Sequence, residues 1–581
     1  MDGELEALAR KWGVEPGFHD VFGNWRTVPP EVLRQVIDAL SAGRAEPAEN
    51  VPAVPGAGAF QGDTRRHWAL AVQLYAVRSR RNLGIGDFRD LHDIISIAVR
   101  AGAAAVGLNP LHALFPDRPE MASPYAPNSR LFLNPLYIAL DALEWFDIAD
   151  VGDDADALRE GELIDYPRVA GRKLAALRAT YDRFCRDATV QQKEEFDTFR
   201  KKRGDNLRRF ACFEVLRARH APKPWWKWPK RWSNPSDGDI DKLHRSESEQ
   251  CGFHEFLQWA ADRQLADCHL HAVQSGLPVG LYLDLAVGVD PSGADAWSNQ
   301  KVVVSALSIG APPDELNRAG QNWGLVPFNP HALPDNDFAV FRQLLAATML
   351  YAGAVRLDHV LGLMRLYLIP RGASEGAYVR YPFEQLLRVI AEESQTYRCN
   401  FIGEDLGTVP EGFRETAAHW GVWSYRVMMF ERMHGGGFKP PDQYPENALA
   451  TFNTHDLPTF AGWMSGDDLR DKRALGLLTE SDDDRARARD ALRGSLGGYA
   501  EGGSPDRIAA AARFLAATPS RLVAISIEDL LGVTAQVNIP GTVEQHPNWR
   551  RKLPVLLEDW EKEPAFLEIA EVFRRAGRAI S

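Results

Sequence analysis

Three short segments of the chain place a carboxylate beside basic or imidazole groups. They are 356–359 (Arg-Leu-Asp-His), 403–407 (Gly-Glu-Asp-Leu-Gly) and 453–458 (Asn-Thr-His-Asp-Leu-Pro). Cleavage of a glycosidic bond needs two carboxyl groups, one to protonate the leaving oxygen and one to meet the oxocarbenium-like carbon. Asp358, Glu404 and Asp456 are therefore candidates for this chemistry, although any one of them alone would more commonly be a solvated or salt-bridged residue.

Each of these acids follows a run of apolar residues, and the chain has eight such runs. They cover 69–75, 104–109, 279–284, 354–358, 401–404, 424–429, 448–453 and 522–528. Amphipathic helical stretches, such as 88–101 and 338–352, separate several of them. Apolar strands alternating with helices predict an α/β fold with a parallel sheet. Eight units favour a (β/α)8 TIM barrel, whose active site lies at the C-terminal ends of the strands. The pattern leaves a doubly wound open sheet as the alternative.

Two regions fall outside a bare barrel. Residues 1–60 combine short helical patterns with a Pro/Ala/Gly-rich stretch at 45–58, which predicts a small N-terminal helical unit and a linker. We assign 61–581 to the barrel, with a large helical insertion at about 139–275, because that gap is too long for one crossover. The insertion carries a tryptophan- and lysine-rich segment at 225–232. Packing is the favoured interpretation of this segment, and a sugar- or nucleic-acid-stacking surface is the alternative.

Composition restricts the class of protein. The 581-residue chain has a net charge of −12, which disfavours nucleic-acid binding. It has neither a secretory signal pattern nor an apolar stretch of membrane-spanning length. Its five cysteines form no CxxC pair, so neither a disulfide framework nor a thiolate metal site is indicated. We expect a cytoplasmic protein that acts without nucleic acid or membrane, and the sequence leaves its oligomeric state open.

Longer motifs make the interpretation specific. Ser-Pro-Tyr at 123–125, Gly-Ala-Pro-Pro-Asp at 310–314 and Gly-Gln-Asn-Trp-Gly at 320–324 occur in this order. They are followed by the segments at 403–407, 453–459, 538–542 and 546–550. From about residue 70 to 555 the chain resembles the amylomaltase (disproportionating enzyme) family. These enzymes are the 4-α-glucanotransferases of glycoside hydrolase family 77 in the α-amylase clan. Two segments, 284–290 and 360–366, are longer than in many members.

The resemblance implies a role for each acid. Asp358 becomes the nucleophile, Glu404 the general acid/base, and Asp456 a third acid that holds hydroxyls of the transferred sugar. The chemistry agrees, because Arg356 on the same strand would favour ionised Asp358. Anionic Asp358 and partial desolvation would raise the pKa of Glu404.

The remaining candidates would bind substrate. We expect the histidines to hydrogen-bond hydroxyls, Tyr125 to stack on the sugar, and Gln321 and Trp323 to contact it from the 310–324 loop. Asp284 either supports the pocket or contacts substrate. The full substrate-binding set is Tyr125, Asp284, Gln321, Trp323, Arg356, His359 and His455.

The expected reaction transfers glucan segments from an α-1,4-glucan donor to a sugar acceptor, and needs neither a metal nor an organic cofactor. The expected mechanism is retaining, through a glycosyl-Asp358 intermediate. Two alternatives are an α-1,4-glucan hydrolase of the same clan and a non-catalytic glucan-binding protein. Transfer is preferred over hydrolysis only because the 310–324 loop would cover the cleft and restrict water.

Overall fold

A closed barrel of eight parallel strands forms the centre of the protein. The structure is a computed structural model that describes residues 3–20, 23–49, 51–53, 56–152, 155–313 and 320–580. The barrel strands are β1 (His67–Val72), β2 (Ala105–Leu108), β3 (Gly280–Leu285), β4 (Ala354–Leu357), β5 (Asn400–Gly403), β6 (Trp423–Val427), β7 (Ala448–Thr451) and β8 (Leu522–Ser526). They pair in chain order, and β8 closes the barrel by pairing with β1. Each predicted apolar run supplies one strand, so the (β/α)8 prediction is confirmed and the open sheet is excluded.

The strands read as apolar runs because both of their faces are covered. Every residue of β2, β3, β4, β5 and β7 is buried. Side chains of alternating strands fill the barrel interior. Small residues on some strands leave room for aromatic rings on others, namely Ala69, Ala105 and Ala354 for Tyr282, Trp423 and Tyr425. The interior is therefore a packed core, and chemistry is confined to the strand ends.

The register of β4 brings its polar residues next to those of its neighbours. Arg356 pairs with Asp284 of β3, and Leu357 pairs with Gly403 of β5. Asp358 directly follows Leu357, and Glu404 directly follows Gly403. The two acids therefore leave adjacent strands at the same level of the barrel.

Helices surround the barrel and extend beyond it. Those between the barrel strands include Phe88–Arg100, Ala339–Met349, Phe383–Tyr397, Phe413–His419, Ile508–Ala517 and, after β8, Pro564–Arg575. The connection from β2 to β3 contains Ala155–Glu160, Tyr166–Asp187, Val190–His220, Lys230–Ser233, Asp237–Ser246 and Ser248–Gln274. The connection from β7 to β8 adds Phe460–Ser465, Asp467–Ala474 and Asp482–Leu496, and Ala294–Ser298 and Ile527–Leu530 follow β3 and β8. Helix Ser248–Gln274 packs on both Val190–His220 and Phe88–Arg100, which joins the long β2–β3 connection to the barrel wall.

A four-stranded antiparallel sheet lies beside the barrel. Its strands, in spatial order, are Ala377–Arg380, Arg365–Pro370, Leu307–Ala311 and Gln321–Leu325. The last two form the hairpin that corresponds to the 310–324 loop of the sequence. Asp314 of that loop lies outside the described residues. A second hairpin, His112–Ala113 with Ser129–Leu133, leads into and out of the Ser-Pro-Tyr segment.

The N-terminal region docks on the free edge of the four-stranded sheet. It contains helices Gly3–Lys11 and Pro30–Ser41 and a hairpin of Gly17–His19 with Trp25–Thr27. The backbone N–H of Glu15 donates to Tyr378 O at 2.8 Å, and Val14 pairs with Val379. The ring of Phe18 packs edge-on against Tyr378 with 5.2 Å between centroids. The 45–58 stretch follows, with residues 50, 54 and 55 outside the described part.

The tryptophan-rich segment is largely a packing element. Trp225 and Trp228 are buried, and their indole N–H groups donate to backbone carbonyls at 2.8 Å. Trp226 is 40% exposed, and the guanidinium of Arg371 lies over its ring. No helix in the described ranges has the length and apolarity needed to span a bilayer.

Candidate active site

Asp358 and Glu404 emerge from β4 and β5 at the C-terminal end of the barrel. The side chain of Asp358 is 21% exposed and Glu404 is 7% exposed, so both carboxyl groups are shielded and one reaches solvent more readily. A cavity of about 80 Å³ at this end of the barrel is lined by Tyr125, Asp284, Arg356 and His455 among others. This is the end of the barrel at which active sites of this fold lie.

Arg356 divides its guanidinium between two acids. Its Nη1 contacts both carboxylate oxygens of Asp284 at 2.7 and 2.8 Å, and its Nη2 donates to Asp358 Oδ1 at 3.0 Å. Burial alone would lower the pKa of Arg356, but the two carboxylates raise it well above its usual value. Burial raises the pKa of Asp358 to about 6, and the contact with Arg356 opposes that shift. Asp358 is therefore mainly ionised at neutral pH.

Two backbone N–H groups hold the carboxyl group of Glu404. His359 N donates to Oε2 and Leu406 N donates to Oε1, each at 2.9 Å. Burial raises the pKa of Glu404, while Arg356 and these two hydrogen bonds oppose the shift. His359 has a φ of 49°, in the left-handed region that non-glycine residues seldom adopt. This unusual backbone turn directly after Asp358 accompanies the N–H contact with Glu404.

Tyr125 connects Asp284 to the imidazole of His455. Its hydroxyl donates to Asp284 Oδ2 at 2.6 Å and lies 3.2 Å from His455 Nδ1. Because the hydroxyl has one proton and gives it to Asp284, its oxygen accepts from His455, so Nδ1 carries a proton. The rings of Tyr125 and His455 are also stacked, 4.6 Å apart. One face of Tyr125 is therefore already covered by protein.

His455 and Asp456 form an ion pair at the end of β7. His455 Nε2 lies 3.5 Å from Asp456 Oδ2. Burial alone would lower the pKa of His455, but the Asp456 carboxylate raises it above its ordinary value. For Asp456, burial would raise the pKa, but the imidazole of His455 and the amide of Asn538 lower it. Both partners therefore favour their charged forms.

Trp323 and Gln321 approach from the four-stranded sheet. The ring of Trp323 meets His359 edge-on with 5.2 Å between centroids. Its indole N–H donates to Gln321 Oε1 at 3.2 Å. Both side chains are half-buried. Trp323 thus touches the site through His359, and Gln321 joins it through the indole of Trp323.

The structure brings the sequence-derived candidates together in one connected group. Asp358, Arg356, Asp284, Tyr125, His455 and Asp456 form a continuous chain of polar contacts, and Glu404 attaches to it through the backbone that follows Asp358. The assignment of Arg356 as the partner of Asp358 matches the geometry. The guanidinium favours ionised Asp358, as expected, but burial of Asp358 has the larger effect and raises its pKa.

Three further residues belong to this group and received no role from sequence reasoning. Trp549 lies 5.5 Å from Tyr125 and 5.3 Å from His455, measured between ring centroids. Asn538 Nδ2 donates to Asp456 Oδ1 at 2.6 Å. Both lie within motifs that carried the family resemblance, so that resemblance was the available signal. Tyr425 lies under the guanidinium of Arg356 at 5.5 Å, and nothing in its local sequence marks it.

Enzymes that cleave glycosidic bonds use a pair of carboxyl groups, and two shielded acids at the ends of adjacent strands of a closed parallel barrel fit that class. The model of the 4-alpha-glucanotransferase family matches residues 72–557. A 4-alpha-glucanotransferase of Haemophilus influenzae is 36% identical over 533 residues, covering 84% of this chain and 76% of the relative. One from Mycobacterium bovis is 37% identical over 552 residues, covering 88% and 75%. The chain belongs to the 4-alpha-glucanotransferase family.

Solved structures agree with this assignment. The crystal structure of amylomaltase from Corynebacterium glutamicum superposes with a TM-score of 0.84 at 25% identity, covering 98% of this chain and 99% of that one. The amylomaltase from Streptococcus agalactiae in complex with acarbose gives 0.75 at 20% identity, over 89% and 100% of the two chains. The second likeness concerns the fold alone.

Proposed function

We propose that this chain transfers segments of α-1,4-glucan between sugar chains by retaining double displacement, with Asp358 as nucleophile and Glu404 as general acid/base. The observation that carries the proposal is the placement of these acids directly after the paired residues Leu357 and Gly403. Adjacent strands are about 4.8 Å apart, and retention needs carboxyl groups about 5 Å apart. The donor is an α-1,4-glucan, and the acceptor is another maltooligosaccharide or glucose.

In the first step, an ionised Asp358 oxygen attacks the anomeric carbon while protonated Glu404 gives its proton to the departing glycosidic oxygen. The bond between carbon and that oxygen breaks, and a glycosyl ester on Asp358 forms. The raised pKa of Glu404 favours the protonated form that this step requires. Arg356, in contact with Asp358 at 3.0 Å, orients the attacking carboxylate.

In the second step, Glu404 acts as a base. It removes the proton from the 4-hydroxyl of an acceptor sugar, whose oxygen then displaces Asp358 from the anomeric carbon. Two inversions restore the α-configuration. Glu404 ends protonated and Asp358 ionised, so the cycle closes without any other reactant.

The ion pair of Asp456 and His455 supports the sugar ring during both steps. Asp456 is 45% exposed, so its carboxylate can accept hydrogen bonds from hydroxyls of the bound sugar. Tyr125 holds the imidazole through its hydroxyl, and its uncovered ring surface offers a stacking contact. Asp284 has both oxygens engaged by Arg356 and Tyr125, which favours a supporting role over direct contact with substrate.

Trp323, Gln321 and His359 complete the proposed substrate-binding group. They lie where the edge hairpin of the four-stranded sheet meets the strand ends, and a cover at that place would restrict water. Transfer to a sugar would then compete well with hydrolysis. A glucan hydrolase would have the same carboxyl groups, so these groups alone do not distinguish it from a transferase. A non-catalytic glucan-binding protein would not need one carboxyl group held by a guanidinium (Asp358) and the other held by two backbone N–H groups (Glu404).

Incubation of the purified protein with maltotriose tests the proposal. A ladder of longer chains together with glucose is expected, whereas maltose and glucose alone would identify a hydrolase. Asp358→Asn should abolish turnover because the amide cannot form the ester. Undiminished activity of this variant would remove Asp358 from its assigned role. Asp335→Asn is the matched control, because Asp335 forms an exposed ion pair with Arg44.

The domain boundaries and location are part of the same proposal. Residues 1–60 form an accessory unit and linker, and the helices at about 139–275 form an insertion in a barrel of 61–581. All five cysteines are free thiols, which suits a reducing cytoplasm. The proposed partners are glucans and sugars, without nucleic acid or membrane.

A further inference from the structure

The N-terminal hairpin carries an unusually exposed indole ring. Trp25 is 57% exposed, which is more than Trp226 at 40%. It pairs with His19 across the hairpin, while the neighbouring Phe18 points the other way and packs on the four-stranded sheet. Successive side chains of a strand alternate between faces. Because Phe18 occupies the inner face, the pleat directs Trp25 outward, and its exposure is built into the hairpin.

The ring of Trp25 rests on backbone and presents its other side to solvent. A Cβ atom at Gly17 would lie 2.4 Å from an indole carbon of Trp25, so only a glycine there allows the ring to lie against the strand. His19 meets the ring edge-on at 5.1 Å. These contacts fix the plane of the indole as a flat apolar platform.

Hydrogen bonds of Asp20 connect the end of the first strand of this hairpin to residues 23–26. Its carboxylate accepts from Asn24 N at 2.8 Å and from Arg26 Nε at 2.8 Å. Gly23 N donates to the carbonyl of Asp20 at 2.9 Å. The polar side chain in contact with the ring is the imidazole of His19. An exposed aromatic face beside a fixed polar group suits a ligand with an apolar face and hydroxyl edges, as in a glucose ring.

The hairpin is physically continuous with the proposed active site. Residues 13–15 hydrogen-bond to the outer strand Ala377–Arg380, and the opposite edge strand, Gln321–Leu325, carries Trp323 against His359. Four interstrand spacings of about 4.8 Å put the two ends of this wall about 20 Å apart. A long glucan can span that distance, whereas maltotriose, with three rings, cannot occupy the catalytic acids and also reach the hairpin.

From this geometry we propose that Trp25 is a glucan-binding platform that captures long α-1,4-glucan chains outside the catalytic cleft. The inference rests on the glucan substrate proposed above. It assigns the N-terminal hairpin a role in substrate selection by chain length. A long glucan that binds both Trp25 and the catalytic cleft dissociates less readily, whereas a short glucan binds the cleft alone and its affinity is unchanged.

Trp25→Ala in the full chain tests the platform, and Trp226→Ala is the matched control because Arg371 already covers that ring. Migration in native gels containing amylose measures binding, and KM is measured separately for amylose and maltotriose. For Trp25→Ala, we expect the amylose KM to rise about fivefold to tenfold, as loss of one stacking contact predicts. The maltotriose KM and kcat should stay within about twofold of the parent values. Trp25→Phe should keep most of the binding because it keeps a flat ring.

Several results would overturn the proposal. One is an unchanged amylose KM and gel migration in Trp25→Ala; another is an equal effect of Trp226→Ala. A third is a change of oligomeric state in Trp25→Ala without a change in glucan binding, which would assign the ring to a contact between copies of the chain. Failure of the parent protein to elongate maltotriose would instead contradict the proposed transfer reaction, because gel migration requires no turnover.

Discussion

The hydroxyl of Tyr125 offers the sharpest test of the contacts in the site. Tyr125→Phe removes one oxygen that donates to Asp284 at 2.6 Å and lies 3.2 Å from His455 Nδ1. The ring, its stacking on His455 and its remaining surface are kept. The substitution therefore isolates the link between the Arg356–Asp284 pair and the His455–Asp456 pair.

The expected loss follows from the charges on both sides. A hydrogen bond to a charged group contributes about 1.5–3 kcal/mol, and this hydroxyl joins a carboxylate to an imidazolium. If about 2–3 kcal/mol of transition-state stabilisation is lost, kcat/KM falls about 30-fold to 150-fold. The imidazolium also loses an acceptor for its Nδ1 proton, so the pKa of His455 falls. If deprotonation of His455 causes the fall in kcat/KM at basic pH, that fall therefore moves to lower pH in the variant.

The assay is maltotriose disproportionation measured as kcat/KM from acid to basic pH. Tyr381→Phe is the control, because this buried tyrosine also donates its hydroxyl to one acceptor, Phe328 O at 2.6 Å, but has no place in the polar chain of the site. A kcat/KM within threefold of the parent value in Tyr125→Phe, together with an unmoved pH profile, would refute the coupling. Loss in both variants would indicate a general packing effect.

Three other outcomes are expected. The kcat/KM should fall as pH drops through about 6, because burial raises the pKa of Asp358 to that value and the protonated acid cannot attack; a flat profile between pH 5 and 7 would contradict it. Glu404→Gln should lower kcat on maltotriose by about 10²-fold to 10⁴-fold, as loss of a general acid does. The variant should still form the glycosyl ester from α-glucosyl fluoride, because the fluoride leaving group needs no proton. Mass spectrometry of the protein detects this adduct, and its absence would remove Glu404 from the role of general acid. Phe18→Ala should destabilise the docked N-terminal unit by about 3–5 kcal/mol, the usual cost of truncating a buried phenylalanine to alanine. Denaturant unfolding measures this loss, and Leu8→Ala, at an exposed leucine, is the control. An equal effect of the two substitutions would contradict the docking.

The barrel could be predicted because each strand is short, apolar and bounded by polar residues. The run 354–358 predicts both the strand Ala354–Leu357 and the acid at its end, since burial on two faces leaves only the strand end for a charged side chain. The eight strands follow from the same reasoning. The hairpin of Trp25 did not appear in the prediction, because strands of three residues are too short to show an alternating pattern.

The network of side-chain contacts within the site could not be predicted. Tyr125 and His455 are 330 positions apart, and only the closed barrel brings their side chains together. The role of Asp284 stayed undecided for the same reason, because its contacts come from one residue on a neighbouring strand and one on a distant loop. The shift of Asp358 was also missed, since burial, which opposes Arg356, depends on the whole surrounding structure.

The shared guanidinium of Arg356 has a consequence for the reaction cycle. In the proposed cycle Asp358 becomes an ester and loses its negative charge. An arginine with no other partner would then become an isolated buried cation, which costs several kcal/mol. Asp284 is a permanent counter-ion that stays on the other side of the same guanidinium. The local charge thus remains balanced while the sugar is attached. A covalent intermediate that is not penalised in this way can persist until the hydroxyl of an acceptor chain displaces Asp358 from the anomeric carbon.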